Sequence, residues 1–173
     1  MGLERVAVRD AEESDLPDIL AITNEVIATT DAIWTETPQT LEERAAWFRQ
    51  RRARGFPVLV AVDASGVAGF ASYGPFRDYP GFRLTVEHTV HVRADRRNAG
   101  VGRALVSALI ARAEAAGVHV MVGAIDAGNA SSIHLHRSLG FQEVGRMPQT
   151  GIRFGRWLNL VLLQRILGED PLD

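Results

Sequence analysis

The segment 96–103, Arg-Arg-Asn-Ala-Gly-Val-Gly-Arg, concentrates features that favour an anion. Gly100 and Gly102 let a ligand approach the backbone closely, and the segment opens a predicted helix whose first N–H groups and dipole attract negative charge. Its three arginines add charge-assisted donors. An ordinary glycine-containing turn with solvated arginines is the alternative. Because four anion-favouring features coincide, the segment predicts a cradle for a pyrophosphate group.

The composition excludes several other chemistries. The 173-residue chain has no cysteine, so a disulfide framework, a thiolate nucleophile and a cysteine-rich zinc site are excluded. All 19 basic residues are arginine, which excludes a lysine Schiff base and the lysine of a Walker loop. The net charge of −2 disfavours a general nucleic-acid binder. The pairs His88/His91 and His134/His136 point apart on their predicted strand and helix, so we predict no metal site.

Periodicity along the chain predicts one domain, 1–173, of the α/β (α+β mixed) class, with one mixed sheet flanked by helices. Strands are predicted at 6–9, 57–62, 67–73, 84–93, 118–125, 141–146 and 156–166, and helices at 14–27, 40–55, 102–114 and 129–139. The basic run 49–54 is interpreted as a solvated helix end. No apolar stretch approaches the about 20 residues of a membrane span, and the N-terminus lacks an apolar signal segment. We therefore expect a cytoplasmic protein that does not bind membranes.

Four segments resemble motifs of a known superfamily. The pattern Arg-x-x-Gly-x-Gly at 97–102 resembles the acetyl-CoA loop of the GCN5-related N-acetyltransferases. The segment 129–141, Asn-Ala-Ser-Ser-Ile-His-Leu-His-Arg-Ser-Leu-Gly-Phe, resembles their Asn-x-x-Ala/Ser-x-x-Leu-Tyr-x-x-x-Gly-Phe helix, with His136 at the usual tyrosine position. Together with Val-Glu-His-Thr-Val at 86–90 and Phe-Gly-Arg-Trp-Leu at 154–158, this departure resembles the phosphinothricin and methionine sulfoximine N-acetyltransferases over essentially the whole chain.

The resemblance implies a mostly antiparallel sheet of the acetyltransferase (GNAT) fold and a detoxifying enzyme. It implies transfer of the acetyl group of acetyl-CoA, as co-substrate and without a metal, to the α-amine of a small amino-acid analogue by a homodimer. Methionine sulfoximine and methionine sulfone rank ahead of phosphinothricin, because the extra negative charge of phosphinothricin needs a second cation that residues 73–87 do not clearly supply. A catalytically silent acyl-CoA-binding regulatory module and a protein N-acetyltransferase are the alternatives; the aromatic loop 73–82 favours a small pocket over the open groove of the latter.

Site residues are implied by the same resemblance. Glu87 is the expected catalytic base and His136 the candidate acid. Substrate contacts are expected from Pro75, Phe76, Arg77, Thr85, Val86 and Glu87. Cofactor contacts are expected from His88, Thr89, Val90, Val92, Arg96, Arg97, Asn98, Ala99, Gly100, Val101, Gly102, Arg103, Asn129 and Ser132.

The residue types suit this chemistry. An ammonium attacks a thioester only after losing a proton, and a carboxylate attracts the cation and accepts that proton. On a strand Glu87 shares a face with Thr85, Thr89 and His91, unless a bulge interrupts the alternation; a solvated glutamate is its bland alternative. An imidazole at His136 is able to protonate a leaving thiolate, although a buried histidine bonded to a carbonyl is as plausible.

Other side chains suit a pocket or an interface. Asn129 offers a donor and an acceptor to the pantetheine arm, a helix cap, or both. Arg77, with Arg83 in reserve, is the choice for a substrate carboxylate, against a reading as surface arginines. Ile33 and Trp34 are a second pocket wall or, more plainly, core residues. The strand 156–166 carries more apolar side chains than one buried face requires, which predicts a two-fold interface near the final strands.

Overall fold

The structure is a computed structural model that describes residues 6–168. Its elements are β1 (Ala7–Asp10), α1 (Leu16–Thr29), α2 (Leu41–Ala53), β2 (Val58–Asp63), β3 (Gly66–Pro75), β4 (Thr85–Val92), α3 (Val101–Ala115), β5 (Val120–Asp126), α4 (Ala130–Ser138), β6 (Gln142–Arg153) and β7 (Arg156–Ile166). None of the helices in this part of the chain is long and apolar enough to cross a membrane.

The seven described strands form one mixed sheet in the order β1-β2-β3-β4-β5-β7-β6. Only β4 and β5 run parallel, connected by α3; the other neighbours are antiparallel. The mixed α/β class and the mostly antiparallel sheet are thereby confirmed. The insertion of β7 between β5 and β6 was not predicted, because nothing local in a sequence records which strand edge a later strand will pair with.

The two central strands separate along their length. β4 and β5 pair only where Thr85–Glu87 face Val120–Val122. Beyond that point β4 stays paired with β3 as far as Val92, while β5 stays paired with β7 as far as Asp126. A gap therefore opens in the middle of the sheet, and Glu87 lies at its vertex.

Local signals fix the helices that border this gap. Thr40 and Glu43 form the predicted capping box at the start of α2. The side chain of Asn129 accepts a hydrogen bond from the Ser132 N–H and caps α4, as predicted. Gly100 precedes α3 with φ +82°, a left-handed conformation that glycine adopts without strain.

Buried apolar side chains form a core on each face of the sheet. On one face α3 packs with Leu105 and Leu109 against β3, β4 and β5. On the other, α1 and α2 pack with Ile19 and Phe48 against β2 and β3. The sheet is thus held rigidly on both sides of the gap, and this rigidity is what a positioned site needs.

β6 continues to Arg153, seven residues beyond the predicted end at Arg146, because it pairs with β7 as far as Arg153 and Arg156, with two register shifts on the way. The tip of this hairpin contacts the loop between α1 and α2. A side chain on Gly151 would lie 2.2 Å from the Trp34 ring, and the Phe154 N–H donates to Glu36 at 2.5 Å. The hairpin therefore fixes the loop that closes one end of the groove described next.

Candidate active site

A groove of about 730 Å³ lies where β4 and β5 separate, between the N-termini of α3 and α4 and the end of α1. Its wall includes Val90 and Val92 of β4, Gly100 and Gly102 before and in α3, and Asn129 at α4. Thr30, Asp31 and Ala32 form the end that the β6–β7 hairpin supports. The groove combines an apolar strand, two helix N-termini and backbone open to a ligand.

The N-terminus of α3 has the features of an anion-binding site. The first bond within the helix runs from the Ala104 N–H to the Gly100 carbonyl, so the N–H groups of 101–103 precede the ladder. Gly100 provides no side-chain cap, and a Cβ added there would find no protein atom within 4 Å. These N–H groups and the helix dipole therefore face the groove, which fits a pyrophosphate.

The arginines of the segment 96–103 divide into two roles. Arg97 and Arg103 line the groove, and Arg103 donates to the Ser138 hydroxyl at 2.7 Å. Arg96 also lines it, but its Nε donates to Asp63 at 2.7 Å. Hydrogen bonds from Ser65 and Arg96 hold the pKa of Asp63 well below its usual range. Arg96 thus ties the segment to the β2–β3 turn and presents its charge at the groove edge.

Most of the predicted cofactor residues meet at the groove, and some do not. Those that line it are Val90, Val92, Arg96, Arg97, Asn98, Gly100, Gly102, Arg103, Asn129 and Ser132. Those absent from its described wall are His88, Thr89, Ala99 and Val101. His88 and Val101 are buried in the interior, His88 against the rings of His136 and Phe141 and Val101 in the core that α3 forms with the sheet.

Glu87 is half-buried at the vertex of the gap. Burial raises the pKa of its carboxyl, while the charges of Arg77 and Arg51 act in the opposite direction. A raised pKa brings a carboxylate closer to the basicity that proton removal from an amine requires. Its position and protonation behaviour both suit a base.

His136 does not reach the groove with its ring. It is 1% exposed, its Nδ1 lies 2.7 Å from the Ser132 carbonyl and its Nε2 lies 2.8 Å from Nε2 of His88. His88 in turn places Nδ1 2.9 Å from the Val122 carbonyl. This position matches the alternative interpretation, a buried histidine that is hydrogen-bonded to a backbone carbonyl. The role of His136 as an acid stays a prediction.

The two predicted substrate segments lie side by side. Pro75 pairs with Val86, and the Phe76 N–H donates to the Thr85 carbonyl at 3.2 Å. Val86 itself is buried in the core on the other face of the sheet from Glu87. The backbone of both segments therefore lies next to the expected base, whereas the Val86 side chain does not face the same side of the sheet as Glu87.

The predicted carboxylate reader Arg77 lies on the exposed part of this loop. It packs 4.3 Å above the Phe76 ring and donates to the Phe76 carbonyl at 2.8 Å. Arg83, the reserve, is also exposed. The sequence predicts Ile33 and Trp34 either as a second pocket wall or as core residues. Ile33 packs against the α1/α2 core and Trp34 lies against Gly151, which agrees with a role in packing.

One cation at the site was missed. Arg51 lies in the basic run 49–54, which the sequence analysis interpreted as a solvated helix end; that interpretation is wrong for Arg51, which is half-buried. The signal was the spacing of Arg44, Trp47, Phe48 and Arg51, which share one face of α2. Arginines on the buried face of a helix indicate a polar region beneath it.

Within residues 6–168, no group of three or more potential metal-ligating side chains comes together. The polar groups of the site are the Glu87 carboxylate, its neighbouring arginines and the helix N-termini.

Known proteins share this arrangement of sequence and fold. Residues 19–141 match the acetyltransferase (GNAT) family. The L-methionine sulfoximine/L-methionine sulfone acetyltransferase of Pseudomonas aeruginosa is 56% identical over 95% of each chain. The phosphinothricin N-acetyltransferase of Alcaligenes faecalis is 35% identical over 92% of this chain and 82% of its own. A solved acetyltransferase structure from Salmonella typhimurium with its cofactor acetyl-CoA superposes with a TM-score of 0.93, at 43% identity over 96% of each chain.

Proposed function

The chain belongs to the acetyltransferase (GNAT) family, and from that membership we propose that it acetylates the α-amine of a small amino-acid analogue, methionine sulfoximine or methionine sulfone. The observation that carries the proposal is the 56% identity to the Pseudomonas aeruginosa enzyme over 95% of both chains. Phosphinothricin, the substrate in the name of the 35% identical relative, is the second candidate. We place the whole chain, 1–173, in one catalytic domain that acts in the cytoplasm.

Acetyl-CoA is the proposed co-substrate, and the groove fits it. The N–H groups at the start of α3, with Arg97 and Arg103, hold the pyrophosphate. The exposed edge of β4 between Val90 and Val92 offers backbone groups to the amide-rich pantetheine arm. When bound, acetyl-CoA supplies an acetyl group activated as a thioester.

Glu87 attracts the substrate ammonium and takes its proton, directly or through water, so that the neutral amine is the nucleophile. Glu87 lies at the vertex where β4 leaves β5, on the same strand as Val90 and Val92 of the groove wall, although Glu87 itself is not part of that wall. Burial of Glu87 limits its contact with water and raises the pKa of its carboxyl.

A homodimer is part of the proposal. Ile152 and Trp157 form a cross-strand pair on β6 and β7, and each is 60% exposed. Phe154, at the hairpin tip, is 59% exposed. Of the apolar side chains that the sequence analysis noted on strand 156–166, Leu158, Val161 and Leu163 are buried, and the exposed apolar side chains come from both β6 and β7. A second copy packed here would border the α1–α2 loop and hence the site.

A substrate panel tests the activity. Thiol release from acetyl-CoA is followed with methionine sulfoximine, methionine sulfone, phosphinothricin and a peptide with a free N-terminus. We expect the two methionine derivatives to give the highest kcat/KM. A preference for phosphinothricin would select the second candidate, turnover of the peptide alone would indicate a protein acetyltransferase, and cofactor binding without turnover would indicate the silent module.

A further inference from the structure

The guanidinium of Arg51 occupies the space of a missing side chain on β3. A Cβ built on Gly74 would lie 1.4 Å from Nη1 and 2.4 Å from Cζ of Arg51. The guanidinium therefore rests directly on the β3 backbone, at a position that only glycine leaves open. α2 carries Arg51 over the sheet, and the sheet has a notch to receive it.

This notch is next to the proposed base. Gly74 is the antiparallel partner of Glu87. Side chains of directly opposed residues share a face, with Cβ atoms about 4.5–5.5 Å apart. Since the guanidinium lies where the Gly74 side chain would be, it lies beside the Glu87 side chain, and the two charges attract each other. They nevertheless form no ion pair within the described structure.

Within residues 6–168, the Arg51 guanidinium finds no hydrogen-bond acceptor. Its Nε is buried without a hydrogen-bond partner in this part of the chain, and its Cζ lies 5.9 Å from the centroid of the Trp47 ring. A guanidinium taken from water without a partner is costly, and a protein that needed only packing here would gain from an apolar residue. Arg77, in contrast, is exposed and already bonded to a backbone carbonyl.

Resting on the proposed function, we propose that Arg51 binds the α-carboxylate of the substrate and thereby directs its α-ammonium to Glu87. An α-amino acid carries a carboxylate and an ammonium on one carbon. Arg51 and Glu87 present the complementary cation and anion as neighbours that do not neutralise each other. The planar fork of arginine matches a carboxylate in two parallel hydrogen bonds. Arg51 is thus a specificity-determining residue for amino acids over simple amines.

Substrate pairs that differ only in the carboxylate test this role. kcat/KM is measured for methionine sulfone and for its primary amide, in the wild type and in Arg51→Met, Arg51→Lys and Arg77→Met. Arg51→Met should lower kcat/KM for the acid by about 30- to 100-fold, mainly through KM, and that for the amide by less than about threefold, since a charge-assisted pair is lost only with the acid. Arg51→Lys should lose less, because the charge remains. KM for acetyl-CoA should not change.

Two further variants separate this role from folding. Arg49→Met, at an exposed position of the same helix, is the matched control and should behave as wild type. Gly74→Ala keeps the arginine but fills the notch, so it should reproduce the selective loss for the acid. Thermal unfolding of each variant confirms that it is folded.

The outcomes are distinct. Equal losses for acid and amide, or a selective loss in Arg77→Met but not in Arg51→Met, would overturn the inference while leaving the proposed function intact. A wild type that acetylates none of the amino-acid analogues would refute the proposed function and the inference with it.

Discussion

The Nε2 atoms of His88 and His136 lie 2.8 Å apart in the interior, where β4 meets α4 above Gly123. Each Nδ1 lies within hydrogen-bond distance of a carbonyl, which only accepts. If both Nδ1 atoms carry hydrogen, the two Nε2 atoms can bond only by sharing an additional proton. Burial lowers the pKa of both rings, that of His88 to about 3, and so opposes this proton. At neutral pH both histidines are neutral. Of the three contacts, from His88 to the Val122 carbonyl, from His136 to the Ser132 carbonyl and between the two Nε2 atoms, only two can then be hydrogen bonds.

The two histidines make the free energy of unfolding depend on pH. Because the folded-state pKa of both histidines lies below the ordinary 6.5, their contribution is fully present above that pH and is lost as the pH falls towards about 3. Urea unfolding of His136→Gln between pH 7.5 and 5 should show a shallower loss of stability than the wild type. His134→Gln removes an exposed histidine of the same helix and should leave the slope unchanged. Parallel curves for the wild type and His136→Gln would contradict this assignment.

Replacement of the base tests the chemistry of Glu87. Glu87→Gln is nearly isosteric but cannot accept a proton, so turnover should fall by about two to four orders of magnitude while the affinity for acetyl-CoA is retained. In the wild type, kcat/KM should fall with decreasing pH at a pKa above the usual glutamate value, since burial raises it. Glu42→Gln, exposed on α2, is the control. Wild-type turnover in Glu87→Gln would remove this residue from the mechanism.

Two glycines that flank α3 provide a matched test of the cofactor cradle. Gly100 and Gly117 both have positive φ, +82° and +71°, and neither has a protein atom within 4 Å of an added Cβ. Alanine should therefore destabilise each by a similar amount, about 1 kcal/mol. Only Gly100 borders the groove. Gly100→Ala should raise KM for acetyl-CoA several-fold, and the bulkier Gly100→Val more, with little effect on the amine; Gly117→Ala should not. Unchanged cofactor kinetics in folded Gly100→Val would refute the cradle.

The exposed β6–β7 surface should mediate dimer formation. Light scattering at micromolar concentration is expected to give the mass of two chains. Trp157→Glu places a charge on the apolar pair with Ile152 and should shift the mass towards one chain, because an unpaired charge in an apolar interface is costly. Arg49→Glu, at an exposed position of α2 rather than on this hairpin, serves as a charge control. A monomeric wild type would exclude the dimer.

Several features of the site follow from the sequence because their causes are local. The capping box of Thr40 and Glu43 and the cap of Asn129 depend on residues three positions apart. Gly100 marks the turn into α3 for the same reason: only a few bonds separate cause and effect. The alternation of β4, with Glu87 and Val86 on opposite faces, is a property of any extended strand. Local causes were therefore sufficient to predict the turn at Gly100, the cap of Asn129 and the face of β4 on which Glu87 lies.

What only the tertiary structure decided depends on residues far apart in the chain. Arg51 lies beside Glu87 because α2 places its guanidinium over Gly74, the β3 partner of Glu87. No local sequence preference specifies where α2 packs on the sheet. Phosphinothricin ranks lower on the sequence alone because residues 73–87 do not clearly supply a second cation for its extra negative charge. Arg51 is a further cation at the site and lies outside that segment, so the argument no longer holds. The ranking of the substrates now rests on sequence identity. Likewise, His136 meets His88 rather than the groove, because the packing of α4 on β4 sets the direction of its ring. Such contacts are determined by how elements pack, which periodicity and spacing do not specify.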